Sequence, residues 1–248
     1  MAANTSSQSK PVALVIGAGD ATGGAIAKRF AREGYTACVT RREKDRLKDL
    51  VADIESSGGS AHAFGSDARK EDETIALFDT IENEIGAVDV AVFNIGANVR
   101  FPIAETTARV YTKVWEMGAF AGFLMGREAA KRMTPRGRGT IIFTGATASV
   151  RGAAWFSAFA GAKHALRALA QSMARELGPK GIHVAHVMID GAIDTAFIRD
   201  NFPAAYEKKT EGGILSPDHI ADMYWMLHRQ PRDAWTHELD LRPWIENW

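Results

Sequence analysis

The chain has 248 residues, 46% of them hydrophobic and 24% charged, which is sufficient for one full-sized α/β domain with a substantial buried core. Lysine and arginine together number 30, as do aspartate and glutamate, so the formal net charge is zero. This balance argues against a partner held by bulk charge, and we expect neither a nucleic acid nor an acidic membrane among the partners.

The N-terminal sequence MAANTSSQSK has no apolar core, so it has the features of neither a signal peptide nor a membrane anchor. No later run reaches the roughly 18 apolar residues that a membrane-spanning helix requires. The single cysteine, Cys38, lies in an apolar run, which favours a buried structural thiol over a nucleophile. We expect a flexible tail over residues 1–10, one domain over residues 11–248 and a cytoplasmic location.

Short apolar runs alternate with helix-length amphipathic segments along the chain. Strands separated by helices are typical of parallel βαβ units whose sheet is covered on both faces. The sequence therefore predicts a single doubly wound, Rossmann-like α/β domain with a mainly parallel, seven-stranded sheet, and ligand chemistry at the carboxyl ends of the strands. The predicted strands are Val12–Ile16, Thr36–Thr40, Ser60–Gly65, Val88–Asn94, Gly139–Thr144, His183–Ile189 and Glu238–Leu241.

A glycine-rich turn, GAGDATGG, follows the first predicted strand and leads into a helical pattern. Glycine lets the backbone turn tightly and approach a pyrophosphate, and the N-terminus of the following helix offers free N–H groups and a partial positive charge. A strand–turn–helix without a ligand also favours glycine, but the strand before the turn and the helix after it favour dinucleotide binding. We expect Gly17, Gly19, Ala21 and Gly23 to contact the cofactor.

The second predicted strand ends in the sequence Thr40-Arg41-Arg42. In NAD-binding domains an acidic side chain near this point accepts hydrogen bonds from the adenosine ribose, whereas a guanidinium can bind a 2′-phosphate. Two exposed arginines at the start of a loop are also common. Because no carboxylate occupies the position, Arg41 and Arg42 favour NADP(H) over NAD(H).

Two further strand ends carry residues suited to the same cofactor. Asp67 follows the third predicted strand, where its carboxylate can accept a hydrogen bond from the adenine amino group. Asn94 and Gly96 lie at the end of the fourth, and a glycine there lets the chain pass close to the nicotinamide ribose. We expect these residues to line the cofactor site.

These motifs resemble those of the short-chain dehydrogenase/reductase family, and the resemblance spans essentially the whole chain. IGAGDATGGAIA is similar to the family's TGxxxGxG turn, with Ile16 in place of threonine and Ala21 in place of the middle glycine. The segment Ser66–Ala68 resembles the family's adenine-contact segment, and Phe93–Gly96 resembles its NNAG motif. The resemblance implies an NAD(P)-dependent oxidoreductase.

A later segment, GPKGIHVAHVMIDGAIDT, is similar to the family's GIRVNAIAPGxxxT sequence. Ala185 replaces the family's asparagine, and Asp190 replaces its proline. The resemblance implies that Ile193 and Thr195 contact the nicotinamide carboxamide.

The catalytic residues of the family are mostly absent from this chain. Members typically carry Tyr-x-x-x-Lys, a serine thirteen positions before the tyrosine and an asparagine on the preceding helix. Here Lys163 is retained, but Phe159 stands at the tyrosine position, Ala146 at the serine position and Gly118 at the asparagine position. The chain resembles an atypical subgroup with this Phe-x-x-x-Lys substitution. The resemblance implies that Lys163 still binds the nicotinamide ribose.

Other side chains are candidates for the missing proton donor. Asp190 is expected near the nicotinamide, where partial burial can raise the pKa of a carboxyl group; the alternative is that it stabilises the following turn. Thr147, beside the missing serine, is the best replacement hydroxyl, although most such threonines bond to local backbone. His164 is turned away from Lys163 on the helix, and His186 is expected to be a hydrogen-bonded structural histidine.

The segment 196–215 falls where the family closes a lid over its substrate. Its aromatic residues indicate a partly apolar substrate, or else pack on the body of the domain. Tyr206 is the lid residue that could act as an acid. Trp235, Trp244 and Trp248 near the C-terminal end are suited to subunit contacts.

We therefore expect a small-molecule substrate, no metal site, and a homodimer or homotetramer, since the segments Val114–Met133 and Phe156–Leu177 are interface helices in relatives. The leading hypothesis is an NADP(H)-dependent oxidoreductase that acts on a carbonyl, enone or imine through a non-standard site. The alternatives are a catalytically silent NADP(H)-binding sensor or partner subunit, and a structural oligomer without cofactor.

Overall fold

The computed structural model describes residues 10–246 of the chain. Residues 1–9 of the predicted tail, and Trp248, therefore lie outside the described residues. The strands of the described part are β1 (Val12–Ile16), β2 (Thr36–Arg41), β3 (Ser60–Gly65), β4 (Val88–Phe93), β5 (Gly139–Thr144), β6 (Ile182–Ile189) and β7 (Glu238–Leu241).

These strands form one seven-stranded sheet in the order β3-β2-β1-β4-β5-β6-β7. Every pair of neighbouring strands is parallel. The predicted strands agree with the observed bounds to within one residue at each end. The prediction of a doubly wound, Rossmann-like α/β fold is therefore confirmed, and the sheet is parallel throughout.

β1 shows how a continuous apolar run builds the centre of this sheet. All five of its residues are buried. Ala13 and Val15 pack into one apolar cluster, while Val12, Leu14 and Ile16 pack into a second. Because successive side chains of a strand point to opposite faces, the sheet has a core on each side.

Helices cover both faces of the sheet. Ile26 and Tyr224 belong to the cluster on one face, whereas Phe78, Met125 and Leu166 belong to the cluster on the other. Within the described residues, no helix is both long enough and apolar enough to cross a membrane. The α-helices of the described part are α1 (Thr22–Arg32), α2 (Lys48–Ser56), α3 (Glu71–Glu84), α4 (Ala108–Trp115), α5 (Ala121–Met133), α6 (Ser157–Leu177), α7 (Ala196–Asn201), α8 (Pro203–Tyr206) and α9 (Pro217–Arg229).

The predicted helix Val114–Met133 is not uniform. A π-helical turn, Glu116–Phe120, joins α4 to α5. Its backbone loop is wider than that of an α-helix, but α4, the turn and α5 form one continuous helical segment. Such turns are frequent at functional sites. Gly118, at the position where the family has an asparagine, lies in this turn.

The predicted lid leaves the sheet and returns to it at one point. Ile193 and Leu215 form a parallel bridge, and the Leu215 N–H donates to the Ala192 carbonyl at 2.8 Å. Between them the chain forms α7, α8 and a 3-10 turn, Glu207–Glu211. The segment between Ile193 and Leu215 is therefore an excursion of the chain that leaves and rejoins the domain at one point beside the end of β6.

Candidate nucleotide-binding and active site

The turn between β1 and α1 has a backbone that only glycine accommodates. Gly17 has φ 88°, and its N–H donates to the Thr40 carbonyl at 3.2 Å. A Cβ at Gly23 would lie 2.4 Å from the Gly17 carbonyl oxygen. Ala21, at the N-cap of α1, offers no side-chain acceptor, and among the first N–H groups of the helix that of Gly24 donates to the Gly19 carbonyl at 2.9 Å.

A cavity of about 590 Å³ opens from this turn across the carboxyl ends of β4, β5 and β6. This is the place where ligands bind in open α/β sheets, because the order of the strands reverses at β1. The predicted site residues in its wall are Gly17, Gly19, Ala21, Gly23, Asn94, Gly96, Ala146, Thr147, Phe159, Lys163 and Ile193.

Other predicted site residues do not form the wall of this cavity. Thr195 lines a neighbouring groove, where its hydroxyl accepts a hydrogen bond from the Ile198 N–H at 3.1 Å. Arg41 is paired with Asp20, whose carboxylate lies 3.1 Å from the guanidinium. The remaining residues of this group are Arg42, Asp67, Ala68, Gly118 and Asp190.

Asp67 is held by its neighbour Arg69. The carboxylate accepts from the Arg69 Nε at 2.9 Å and from the backbone N–H of the same residue at 3.2 Å. The hydrogen bond to Arg69 lowers the pKa of Asp67, and this outweighs the opposing effect of burial. Asp67 is therefore an ionised acceptor, which suits the predicted contact with an amino group.

Asn94 connects the end of β4 to the glycine turn. Its Nδ2 donates to the Gly17 carbonyl oxygen at 3.1 Å, so the amide fixes the turn. Gly96, two residues further, also lines the cavity. The strand end thus positions both residues where the sequence predicts them.

Lys163 projects from α6 to the base of the cavity and is 3% exposed. Its ammonium group donates to the Thr144 carbonyl at 2.8 Å and to the Ile95 carbonyl at 3.2 Å. Burial lowers its pKa from 10.5 to about 8. A lysine with a pKa in this range can exchange a proton near neutral pH.

Phe159, Ala146 and Gly118, which the sequence predicts at the family's tyrosine, serine and asparagine positions, carry no acid or hydrogen-bond donor in their side chains. Phe159 places its ring in the cavity wall, with its centroid 5.9 Å from the Lys163 Nζ, and Ala146 lies nearby. A Cβ at Gly118 would lie 2.9 Å from the Cβ of Ala162. An asparagine side chain at position 118 would therefore require the packing between these helices to shift.

The structure brings together Thr147 and Asp190, two residues that the sequence offers as separate candidates. The Thr147 hydroxyl donates to the Asp190 carboxylate, which is 2% exposed at the end of β6. The guanidinium groups of Arg151 and Arg242 each lie 3.7 Å from this carboxylate. The Thr147 proton is directed to Asp190 in this arrangement, so the two candidates form one hydrogen-bonded pair beside the cavity that Thr147 lines.

Two further candidates lie in surroundings that differ from those expected. His186 is buried, but its Nε2 has no hydrogen-bond partner among the described residues, so it is not fully hydrogen-bonded. Burial lowers the pKa of His186 to about 4. Tyr206 lines the neighbouring groove, with its hydroxyl 3.3 Å from the Lys209 Nζ, and takes no part in the wall around Lys163.

The remaining candidates are placed as follows. His164 bonds through Nδ1 to the Ala160 carbonyl at 2.9 Å and does not line the cavity. Phe197 and Phe202 of the lid are 62% and 48% exposed and pack on each other. Trp235 stacks on the His183 ring at 4.9 Å. Trp244 is 80% exposed.

The cavity wall also contains residues that the sequence did not assign to the site, among them Asp20, Asn98, Arg151 and Phe156. Asp20 lies inside the glycine motif itself, whose sequence signal is carried by the glycines alone. Arg151 and Phe156 lie between the serine and tyrosine positions of the family. That location is the sequence signal that could have identified them.

Comparison with known proteins gives the chain its family. The family model described as short chain dehydrogenase matches residues 11–205. A short-chain dehydrogenase from Rhodopseudomonas palustris is 48% identical, with a TM-score of 0.82 over 94% of this chain and 99% of that one. A metagenomic short-chain oxidoreductase in complex with NADP is 25% identical, with a TM-score of 0.79 over 97% of this chain and all of that one (100%).

A curated relative from the fungus Armillaria gallica, named as a short-chain dehydrogenase/reductase, is 33% identical over 185 residues. The match covers 73% of this chain and 71% of the relative. The chain is therefore a member of the short-chain dehydrogenase/reductase family of oxidoreductases.

Proposed function

We propose that the protein is an NADP(H)-dependent oxidoreductase that acts on a small, partly apolar carbonyl, enone or imine through a non-standard active site. The observation that carries this proposal is the cavity wall, which combines the glycine turn with buried Lys163 and the hydrogen-bonded pair Thr147–Asp190. These groups serve a bound cofactor and a proton route, which a purely structural domain does not need.

The residues present fit a dinucleotide. Gly23 closes against the glycine turn so tightly that a Cβ there would overlap the Gly17 carbonyl, and the N-terminus of α1 is open to a pyrophosphate. Asp67 and Ala68 would hold the adenine. A bound reduced cofactor supplies a hydride.

The nicotinamide half would be held at the other end of the cavity. Asn94, Gly96 and Lys163 would contact its ribose, and Ile193 and Thr195 its carboxamide. Lys163 is already fixed by two backbone carbonyls, which leaves its third N–H for a ribose hydroxyl. The solved relative in complex with NADP supports this assignment.

Arg41 and Arg42 would bind the 2′-phosphate and favour NADP(H) over NAD(H). Both lie at the end of β2, beside the glycine turn. A guanidinium suits a phosphate because its fork of N–H donors matches two phosphate oxygens.

Thr147 and Asp190 provide a route for the proton that accompanies reduction. The Thr147 hydroxyl, turned from Asp190 towards the cavity, gives its proton to the substrate and takes in exchange a proton that solvent delivers through Asp190, so both groups end as they stand in the structure, with Asp190 a carboxylate. The guanidinium groups of Arg151 and Arg242 then stabilise that carboxylate. Of the family's four catalytic residues, lysine, tyrosine, serine and asparagine, this chain retains only the lysine, Lys163.

The missing tyrosine limits the chemistry. General acid catalysis is worth roughly 10²–10⁴-fold, and Phe159 can supply none of it. Substrates that need little help from an acid, such as an activated C=C bond or an imine, are therefore favoured over simple ketones. We also propose that the protein belongs to an atypical subgroup of the family that has the Phe-x-x-x-Lys sequence.

The test is to titrate NADPH and NADH into the protein by fluorescence, and then to follow the loss of reduced-nicotinamide absorbance with panels of carbonyls, enones and imines. We expect NADPH to bind and at least one class to be reduced by the wild type. Phe159→Tyr serves as the comparison. If no class is reduced although NADPH binds, the proposed activity is wrong.

The second candidate function is a catalytically silent NADP(H)-binding protein. The close approach of position 118 to Ala162 favours it, because this part of the former active site is filled by packing. In that case NADPH binds without turnover by the wild type, and turnover appears only in Phe159→Tyr.

We also propose a cytoplasmic location, a flexible tail over residues 1–10, and a lid over residues 196–215.

A further inference from the structure

The glycine turn carries a carboxylate at the edge of the cavity. The Asp20 side chain is 86% exposed and accepts a hydrogen bond from the Arg41 Nη1 at 3.1 Å. Asp20 also lines the cavity. The pair therefore spans from the turn that would hold a pyrophosphate to the end of β2, where the adenosine ribose of a dinucleotide is bound.

The cationic groups at this edge are largely balanced by carboxylates of the same chain. Arg41 is paired with Asp20, and Arg69 with Asp67. Arg42, which is exposed, has no ion pair among the residues that the structure describes. A 2′-phosphate arriving here would meet one open guanidinium and one that is already occupied by a carboxylate.

We infer that Asp20 competes with the 2′-phosphate for Arg41 and thereby reduces the preference of the protein for NADP(H) over NAD(H). This inference rests on the proposed nucleotide binding. A phosphate can reach Arg41 only by displacing the Asp20 carboxylate, or by sharing the guanidinium with a second negative charge a few ångströms away. A nucleotide without the phosphate leaves the pair of Asp20 and Arg41 intact.

The test uses two adenosine fragments, 2′,5′-ADP and 5′-AMP, titrated into the full chain by calorimetry. The fragments differ only in the 2′-phosphate, and neither contains a nicotinamide, so the measurement does not depend on turnover. We expect Asp20→Asn to tighten 2′,5′-ADP by about tenfold at low salt and to change 5′-AMP by less than about twofold.

The role of Arg41 is tested in the same titration. In an Arg41→Gln background, Asp20→Asn is expected to change the affinity for 2′,5′-ADP by less than about twofold, because the group for which the two anions compete is gone. The gain in Asp20→Asn is also expected to shrink at high salt, since the Asp20 side chain is 86% exposed to solvent.

A matched control removes a carboxylate from another aspartate–arginine pair. Asp222 lies 2.7 Å from the Arg29 Nε, and neither residue lines the cavity. Asp222→Asn is expected to leave both affinities unchanged. The inference is overturned if Asp20→Asn leaves the ratio of the two affinities within twofold of the wild type, or tightens both fragments equally.

The failure of the proposed function is distinguishable from the failure of this inference. If neither fragment binds any variant, both are wrong. If the ratio shifts as expected while no substrate is reduced, the inference holds and only the proposed reaction is lost.

Discussion

Lys163 combines deep burial with a positive charge, and this has a measurable effect on stability. Below about pH 8 the ammonium is charged in the folded and unfolded chain, so folding carries the full cost of burying it. Above the unfolded pKa of 10.5 the amine is neutral in both states and the cost disappears. The contribution of Lys163 to the free energy of unfolding therefore rises with pH between these two values.

We predict that the free energy of unfolding of the wild type, relative to Lys163→Met, rises by up to about 3 kcal/mol over this window. The measurement is urea unfolding at a series of pH values. Using the difference between two variants removes the contribution of the other groups that titrate there. Lys48→Met, which removes a lysine with a 75% exposed side chain, is the control. A flat difference for Lys163→Met would contradict the prediction.

The hydroxyl of Thr147 is the part of the proposed proton route that touches the cavity. Thr147→Val keeps the shape of the side chain but removes the proton, and leaves Asp190 without its donor. We predict a fall in kcat of about 10²-fold with any substrate that the wild type reduces. Thr147→Ser, which keeps the hydroxyl, should retain most of the rate.

NADPH affinity serves as the control for both Thr147 variants and should remain unchanged. Loss of NADPH binding together with activity would instead indicate a structural role for the residue. A pH profile that moves in Thr147→Val but not in Thr147→Ser would support proton transfer.

At the scale of elements, the strands were predictable and the helix boundaries less so. Strands such as β1 and β6 are largely apolar runs that end beside a glycine or a polar residue, and this signal is local. The π-helical turn Glu116–Phe120 is different. It disturbs the 3.6-residue period only briefly, so the sequence predicted one uninterrupted helix there.

The site could be predicted only where a motif carries it. The glycine turn and Lys163 belong to motifs and were found in the cavity wall. The bond between Thr147 and Asp190 joins residues 43 positions apart and depends on β5 and β6 being neighbours in the sheet. The position of Tyr206 outside the cavity wall could not be predicted for the same reason, because the direction in which the segment folds is not encoded in a short pattern.

The π-helical turn also supports a prediction about packing between elements. A Cβ at Gly118 would approach that of Ala162 on α6 to 2.9 Å. We predict that Gly118→Ala destabilises the protein by about 1–3 kcal/mol, because the two helices must move apart. The measurement is chemical unfolding of the variant against the wild type.

A double-mutant cycle identifies the contact responsible. Combining Gly118→Ala with Ala162→Gly restores the space, so the cost of the first substitution should become smaller in that background. An equal cost in both backgrounds would assign the effect to the backbone of the turn instead.

On the surface of the whole molecule, aromatic side chains form a patch along α4, the π-helical turn and α5. Trp115, Phe120 and Phe123 stack in sequence, with ring centroids 5.9 and 6.0 Å apart, and Trp115 and Phe123 are 42% and 39% exposed. Exposed aromatic groups of this kind are enriched at protein interfaces. This surface agrees with the proposal that the protein forms a homodimer or homotetramer.

We predict that Trp115→Glu shifts the protein to a smaller species in light scattering coupled to size-exclusion chromatography. A charge in the centre of an apolar interface is costly when it has no partner. Phe197→Glu, at a 62% exposed position on the lid, is the control and should leave the mass unchanged. A wild type that is already monomeric would refute the proposed assembly.

The bridge between Ile193 and Leu215 has a consequence for how such a protein can diversify. Because the excursion begins and ends at adjacent points beside β6, its length and composition can change without altering the register of the sheet. The segment can therefore be exchanged as a cassette between relatives. Grafting it onto another member of the family should leave the fold of the recipient intact, so the proposed lid is a segment in which substrate specificity can change at little structural cost.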